Sequence, residues 1–150
     1  MILLTPDIRF ALRANDIARR ACQRDGKPEP DPAPVLKLFN PVGAATWLAT
    51  ELDEDGDTLF GLADLGFGCP ELGYFSLSEI GAPRLPLGLG IERDLGFASL
   101  SPLSLWADQA RRLGSMTAAE SAFADAEIRL RAALALLDNH QLPPFEPDGG

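Results

Sequence analysis

The stretch that decides the fold is residues 35–77, VLKLFNPVGAATWLATELDEDGDTLFGLADLGFGCPELGYFSL. Short apolar segments in it are separated by clusters of Asn, Pro, Gly and Asp, which is the pattern of consecutive antiparallel strands. Residues 53–57 predict a hairpin loop, because Asp and Gly favour turn conformations. The segments predicted as strands are 35–39, 45–52, 58–65 and 73–77.

Helices are predicted on both sides of this antiparallel β-meander. Thr5 and Pro6 form a helix N-terminus, with Thr as the cap and Pro at the first helical position. Towards the C-terminus, Pro102 starts one helix, and the capping box at residues 117–120 starts a second. Residues 91–97 are predicted to add a fifth strand at an edge. The apolar stripe predicted for the first helix is Ile8, Leu12, Asn15, Ala18 and Cys22.

This order of elements predicts the α+β class, with four to five strands packed against an N-terminal helix and two C-terminal helices. A chain of 150 residues with 46% hydrophobic residues is long enough for one core. We therefore expect a single domain over residues 1–141. The domain contains a proline-rich connector at 26–34, and residues 142–150 are expected to be a flexible tail.

The net charge of −9 is concentrated in the middle of the chain. Residues 38–83 contain eight acidic residues and no Lys or Arg, whereas the rest has fourteen acidic and thirteen basic residues. An acidic surface of this kind repels nucleic-acid phosphates and attracts basic groups. It makes direct nucleic-acid binding an unfavoured interpretation and indicates a basic protein partner.

The location of the protein is predicted from its cysteines and its hydropathy. Cys22 and Cys69 have no CxxC or Cys/His spacing, which argues for a reducing compartment. No apolar run is long enough to span a bilayer, and the N-terminus has no secretion signal. We expect a cytoplasmic protein without a membrane segment.

The acidic hairpin loop raises the question of a metal site. Asp53, Asp55, Asp57 and Asp64 occupy positions 1, 3, 5 and 12 of a calcium loop. However, Thr58 stands where the sharp turn of that loop needs Gly, and the flanking segments are predicted as strands instead of helices. The alternative is a solvated hairpin tip whose acids supply turn hydrogen bonds. No cofactor is implied by either interpretation.

A second candidate site is one face of the predicted hairpin. If Leu52 pairs with Leu59, alternation along the strands places Trp47, Glu51 and Asp64 on one face, with Trp47 opposite Asp64. Carboxylates beside aromatic rings are suited to binding a cation or a basic side chain, or to acid–base catalysis. Glu71 and Tyr74 follow shortly afterwards. The candidate binding residues are thus Trp47, Glu51, Asp64, Glu71 and Tyr74.

A basic stripe on the first helix allows two interpretations. Arginines there could contact phosphates, or they could dock against the acidic meander or lie in solvent. Asp7, Asp16 and Asp25 are interspersed among them and dilute the positive field, which favours docking or solvation. The arginines of this stripe are Arg9, Arg13, Arg20 and Arg24.

The order of several short motifs resembles a bacterial family catalogued as a domain of unknown function. Members of that family are common on plasmids and mobile elements of proteobacteria. The resemblance covers about residues 1–112 and implies a link to plasmid accessory functions such as antirestriction or DNA processing. It implies no established activity. The matching motifs are residues 37–41 (KLFNP), 45–48 (ATWL), 51–52 (EL), 60–62 (FGL), 64–66 (DLG), 70–74 (PELGY), 76–77 (SL) and 91–95 (IERDL).

Together these features predict a non-enzymatic acidic binding or interaction module of a mobile element. The alternative is a small hydrolase or transferase that uses Glu51, Asp64 and Glu71, with or without a divalent metal. The two interpretations differ in one structural requirement, because the enzyme needs these carboxylates in one pocket. The oligomeric state is left open by the sequence.

Overall fold

A computed structural model describes residues 2–139 of the chain. The chain divides into two compact units, Met1–Ala119 and Glu120–Gly150. The described part of the second unit is helical. The predicted domain boundary at residue 141 and the predicted tail at 142–150 lie outside the described residues.

The first unit is built on a five-stranded antiparallel sheet, in the strand order β4-β3-β2-β1-β5. Strands β1 to β4 follow one another as a meander, and β5 pairs with β1 at the far edge. The predicted α+β class is therefore confirmed. The strands are β1 (Leu36–Phe39), β2 (Thr46–Leu52), β3 (Thr58–Asp64), β4 (Glu71–Ser76) and β5 (Glu92–Arg93).

Helices flank this sheet in the chain order, as the sequence predicts. The Thr5 hydroxyl accepts a hydrogen bond from the amide of Ile8 and caps the first helix. Gly114, with φ of 82°, ends the third helix in the left-handed conformation that glycine adopts most easily. The α-helices are α1 (Pro6–Arg24), α2 (Leu77–Gly81), α3 (Leu103–Leu113) and α4 (Met116–Asn139). Within residues 2–139, no helix combines the length and apolar character needed to cross a membrane.

Both faces of the sheet carry buried side chains. One face belongs to a core cluster that includes Leu12 of α1 and partly buried Trp47. On the opposite face, Leu48 and Leu62 pair across β2 and β3 and are fully buried. In agreement with this double burial, six of the seven residues of β2 are buried. The buried residues of the cluster are Leu4, Leu12, Leu36, Leu38, Ala49, Leu52, Leu59, Ile80 and Ile91.

A β-bulge in β2 changes the predicted register. Leu52 pairs with Leu59, as assumed from the sequence, but the pairing shifts between Ala49 and Glu51. Thr50 is the extra residue, so that Trp47 lies opposite Ala63 and not opposite Asp64. The prediction that Trp47 shares a face with Glu51 and Asp64 is therefore wrong, because one inserted residue reverses the faces on one side of it. Glu51 and Asp64 do lie on the same face, since Glu51 pairs with Phe60, four residues before Asp64 on β3.

Three local elements also differ from the sequence prediction. Residues 77–81, expected to lie in a strand end and a loop, form the short helix α2 because the Ser76 hydroxyl caps its first turn. The fifth strand spans only Glu92–Arg93. Helix α4 begins at Met116, since Ser115 and not Thr117 caps it: the Ser115 hydroxyl accepts from the amide of Ala118.

Candidate functional site

Three side chains form a row across one face of the sheet. Glu51 of β2 pairs with Phe60 of β3, and Phe60 pairs with Tyr74 of β4. Residues that are directly paired in an antiparallel sheet point to the same face. Two adjoining cavities of about 230 and 180 Å³ include all three residues in their linings. We call these cavities together the acidic groove.

The aromatic part of the acidic groove is open to solvent. The rings of Phe60 and Tyr74 lie 5.1 Å apart between centroids and are tilted by 57°. Tyr74 is 67% exposed, which is unusual for an aromatic side chain in a strand. An exposed ring that is fixed by a second ring is well suited to contacting a ligand cation or an apolar stem.

The proline-rich connector also lines the larger cavity. It contributes Glu29, Pro30, Asp31 and Pro32 to the lining. The connector is tied to α3, since the Pro32 carbonyl accepts from the amide of Leu103 and the Asp31 carboxylate accepts from both the amide and the hydroxyl of Ser104. Glu29 and Asp31 are both exposed, so the connector adds negative charge at the rim.

Helix α1 supplies an arginine network at the base of the groove. Asp16 is only 3% exposed and accepts hydrogen bonds from Arg13, Arg19 and Arg20. Arg19 also donates to Glu51, with 2.7 Å between Nε and Oε1. Arg20 reaches Asp53 at 2.9 Å, and Arg13 reaches the Leu52 carbonyl at 2.6 Å. The network ties α1 to the bulged end of β2.

This geometry supports the docking interpretation of the basic stripe for Arg13 and Arg20. Arg9 contacts the Gly56 carbonyl of the hairpin loop at 3.5 Å. Arg24 pairs instead with the neighbouring Asp25 near the end of α1. The network contains three carboxylates and three guanidinium groups, which balance one another. The acidity that remains available to a partner is therefore at the rim and not at the base of the groove.

Burial and pairing shift the pKa of several network groups. Burial raises the pKa of Glu51 above its ordinary value and outweighs the lowering effect of Arg19, and the nearby Asp16 adds to the increase. Burial also acts to raise the pKa of Asp16, but hydrogen bonds from Arg13 and Arg20 hold it below the ordinary value. The hydrogen bond to Glu51 raises the pKa of Arg19. Asp16 is thus held in its ionised form, whereas the raised pKa of Glu51 means that it takes up a proton more readily than Asp16.

The hairpin acids serve as turn acceptors. Asp55 accepts hydrogen bonds from the amides of Asp57 and Thr58 and from the Thr58 hydroxyl. Asp57 accepts from the Ser76 hydroxyl and the Ser78 amide, which joins the loop to the start of α2. Asp53 is bound by Arg20. Within residues 2–139, no group of three or more His, Cys, Asp or Glu side chains is arranged to hold a metal ion.

These turn hydrogen bonds predict acid sensitivity. The pKa of Asp55 is lowered by its bonds to Thr58, and that of Asp57 by its bond to Ser76. A lowered pKa adds stability above the unfolded value, near pH 4, and this stability is lost as the pH falls through the folded value. Glu51 contributes to the pH dependence with the opposite sign. Because its pKa is raised, its contribution to stability is present at low pH and is lost as the pH rises through the folded value. We expect the free energy of unfolding to fall below about pH 4.

Urea unfolding of Asp55→Asn between about pH 2 and about pH 6 tests this expectation. The Asn oxygen can still accept the two amide hydrogen bonds, so the variant keeps these turn bonds while it removes the titrating group and the acceptor of the Thr58 hydroxyl. Its unfolding free energy should vary less with pH than that of the unmodified protein. An identical acid dependence in both proteins would exclude Asp55 as a contributor.

The remaining predicted site residues lie elsewhere. Asp64 is 4% exposed, and its two oxygens accept from the amides of Gly66 and Met116. It therefore holds the start of α4. Trp47, Ala63 and Glu71 form a row on the face opposite the acidic groove, where Trp47 packs against the core cluster and Glu71 is exposed. Of the five candidates, only Glu51 and Tyr74 come together.

Asp16, Arg19 and Phe60 belong to the groove but were not predicted as site residues. From the sequence, Asp16 is expected only to dilute the positive charge of the basic stripe on α1, and Arg19 is not among the arginines of that stripe. The sequence nevertheless contains a signal for this network. On the predicted helix, Asp16 lies three residues after Arg13 and four residues before Arg20, and side chains at these spacings are neighbours on a helix surface. Phe60 is the direct partner of Glu51 in the β2–β3 ladder, and it was not among the five candidates.

These features define the first unit as an α+β domain with an acidic and aromatic groove on an antiparallel sheet. A family model described as "Protein of unknown function (DUF2958)" matches residues 3–117, and the chain belongs to this family. The resemblance to a domain family of unknown function is thereby confirmed, and the matched residues all lie within the first unit. Comparison with curated proteins and with solved structures gave no match.

Proposed function

We propose that this protein is a non-enzymatic binding module, belonging to the accessory functions of a mobile element, that holds a basic segment of a protein partner in the acidic groove. The observation that carries the proposal is the exposed Tyr74 ring, which is tilted against Phe60 in a cavity whose lining also includes Glu29 and Asp31. An arginine or lysine side chain in this cavity would meet both an aromatic face and carboxylates.

The charge distribution supports a basic partner. Arg19 and Arg20 are the basic residues among the described lining of the groove, and both are already paired, Arg19 with Glu51 and Arg20 with Asp16 and Asp53. The rim carboxylates Glu29 and Asp31 accept hydrogen bonds from neutral groups of Gln23 and Ser104, and within residues 2–139 neither forms an ion pair with a basic side chain. A positively charged ligand would therefore gain favourable electrostatic energy at the rim, and this gain should weaken with salt.

The dispersal of the carboxylates favours binding over the alternative of a small enzyme. Glu51, Asp64 and Glu71 lie in three separate places, whereas acid–base catalysis needs its groups within reach of one substrate. Direct DNA binding through α1 is likewise disfavoured, because Arg13 and Arg20 bind Asp16. We infer a cytoplasmic location from the free thiols of Cys22 and Cys69, and an antirestriction role is one specific form of the proposal.

Calorimetric titration with a short peptide of alternating arginine and threonine tests the proposal. Tyr74→Ala should weaken binding about tenfold, because it removes the ring under the cation. Glu29→Gln, which keeps the side-chain shape, should weaken it about threefold. Glu54→Gln is the matched control, since Glu54 is an exposed carboxylate of the hairpin loop that does not line the groove. If Tyr74→Ala and Glu29→Gln bound the peptide as tightly as the Glu54→Gln control, the proposed site would be wrong.

A further inference from the structure

We propose that the basic partner binds by adding an extended segment, antiparallel, to the free edge of β4. This inference rests on the proposed function and specifies how the same groove is occupied. Strand addition gives affinity through main-chain hydrogen bonds and selectivity through alternate side chains. The arginine side chains of the added strand would then lie over the acidic groove.

The register shows which groups β4 presents to a partner. Leu77 donates its amide to the Asp57 carbonyl, one step beyond the paired residues Thr58 and Ser76. Backbone groups alternate between the two sides of a strand, so Glu71, Gly73 and Phe75 face β3. The amides and carbonyls of Leu72 and Tyr74 therefore face outward, at the edge of the sheet. No described strand pairs with this edge.

The two edges of the sheet differ in how well they are protected against pairing with another strand. The β5 edge is only two residues long, which is a common way to prevent unwanted pairing. By contrast, β4 has six residues, with no Lys and no Pro among them. Leu72 and Tyr74 expose 39% and 67% of their surface on this strand. The β4 edge is therefore long, extended and partly apolar, which is the form that accepts another strand.

Gly73 is a further feature of β4, and its missing Cβ lies on the face opposite the acidic groove. A Cβ built on Gly73 meets no described atom within 4 Å, and its φ lies outside the left-handed region. Neither packing nor backbone conformation within the described chain requires glycine at this position, although glycine weakens a strand. Glycine inside a strand often marks the close approach of a ligand or of another backbone. Gly73 lies between the two residues whose backbone groups face outward.

The negative charge around the β4 edge favours a basic segment of another protein, and not a second copy of this chain, as the strand that pairs with it. The residues from 38 to 83, which include β4, carry eight acids and no base, and Glu71 is exposed at the start of the strand. Two copies meeting at this edge would bring together two chains of net charge −9. An arginine-containing strand has the complementary charge.

Backbone N-methylation of the alternating arginine–threonine peptide provides the sharpest test. Leu72 and Tyr74 lie on the groove face, and in antiparallel pairing their hydrogen-bonded partners lie on that face as well. The arginines above the groove must therefore also point their amides at β4. Methylating the arginine amides should weaken binding at least about tenfold, whereas methylating the threonine amides should change it less than about threefold. The reverse order, or equal effects, would overturn antiparallel addition.

Variants of β4 give a second readout. Leu72→Pro removes an outward amide without removing a bond to β3, and should lower peptide affinity at least about tenfold. Leu72→Thr retains the amide and is the matched control. Peptide binding should also slow hydrogen exchange at the amides of Leu72 and Tyr74 in the unmodified protein. Because exchange is measured without a substitution, it decides the outcome even if Leu72→Pro does not fold.

The outcomes separate this inference from the proposed function. If the unmodified peptide does not bind the protein, the proposed function fails. If it binds in a salt-sensitive way but leaves both amides unprotected, only strand addition fails. If the free protein forms a dimer that Leu72→Pro abolishes, the edge is occupied by a second copy and the inference is overturned.

Discussion

Gly61→Ala is expected to lower the free energy of unfolding by about 3 kcal/mol or more, or to prevent folding. A Cβ on Gly61 would lie 1.7 Å from the Leu48 carbonyl oxygen and 2.8 Å from its carbon. It would also lie 2.9 Å from the Cα of Ala49. All three are backbone atoms beside the β-bulge, and backbone cannot move aside as a flexible side chain can. The bulge therefore requires glycine on the neighbouring strand.

Gly73→Ala is the matched control, because Gly73 is the direct partner of Gly61 in the β3–β4 ladder. No described atom would contact the added methyl group, and alanine restricts the unfolded chain. Its unfolding free energy should stay within about 1 kcal/mol of that of the unmodified protein. Urea unfolding followed by circular dichroism compares the two. Equal destabilisation by both substitutions would contradict the assigned bulge geometry.

Asp16→Asn is expected to lower the free energy of unfolding by about 3 kcal/mol. The substitution keeps the shape of the side chain but leaves Arg13, Arg19 and Arg20 without their shared carboxylate. Arg13 and Arg19 are largely shielded from water, with 27% and 17% of their side chains exposed. Removing one partner of a buried ion pair costs more than the pair itself contributes, because the remaining charge stays desolvated.

Asp25→Asn serves as the control for Asp16→Asn. Its carboxylate pairs with Arg24 near the end of the same helix, with 48% of its side chain exposed. An exposed pair of this kind contributes at most about 1 kcal/mol. Both variants are compared by urea unfolding at neutral pH. A loss below about 1 kcal/mol for Asp16→Asn would show that the network does not hold α1 against β2.

The elements that the sequence predicts well are those fixed by local chemistry. The cap at Thr5 and the turn residues at 53–57 act within a few residues, and the structure has each of them in its expected role. Four strands were located to within two residues because apolar runs between turn signals mark them. These local signals were sufficient for the α+β class.

The candidate site was predicted less completely, because it depends on tertiary contacts. The extra residue at Thr50 leaves no local signal, yet it moves Trp47 to the other face from Glu51. Asp64 appeared to be a free carboxylate, but it binds the amide of Met116, which is 52 residues away in the chain. The pairing of Arg19 with Glu51 likewise joins residues that are 32 positions apart. Only the neighbourhood of Glu51 and Tyr74 was anticipated.

The arginine network also determines which acids of the segment 38–83 are already paired within the protein. Glu51 and Asp53 are paired with guanidinium groups of α1, and Asp55 and Asp57 bind turn donors. The groove itself therefore presents its charge through the exposed connector acids Glu29 and Asp31. Selectivity for a basic segment then depends on the connector as much as on the sheet, which is why Glu29→Gln is included among the binding tests.

The most direct test of the central claim is the affinity of the unmodified protein for the arginine–threonine peptide and for its citrulline counterpart. Citrulline keeps the shape of arginine without the charge. The groove is expected to bind the arginine peptide at least about tenfold more tightly at about 50 mM salt, with the difference shrinking at about 300 mM. Equal affinities for the two peptides, unaffected by salt, would contradict the account.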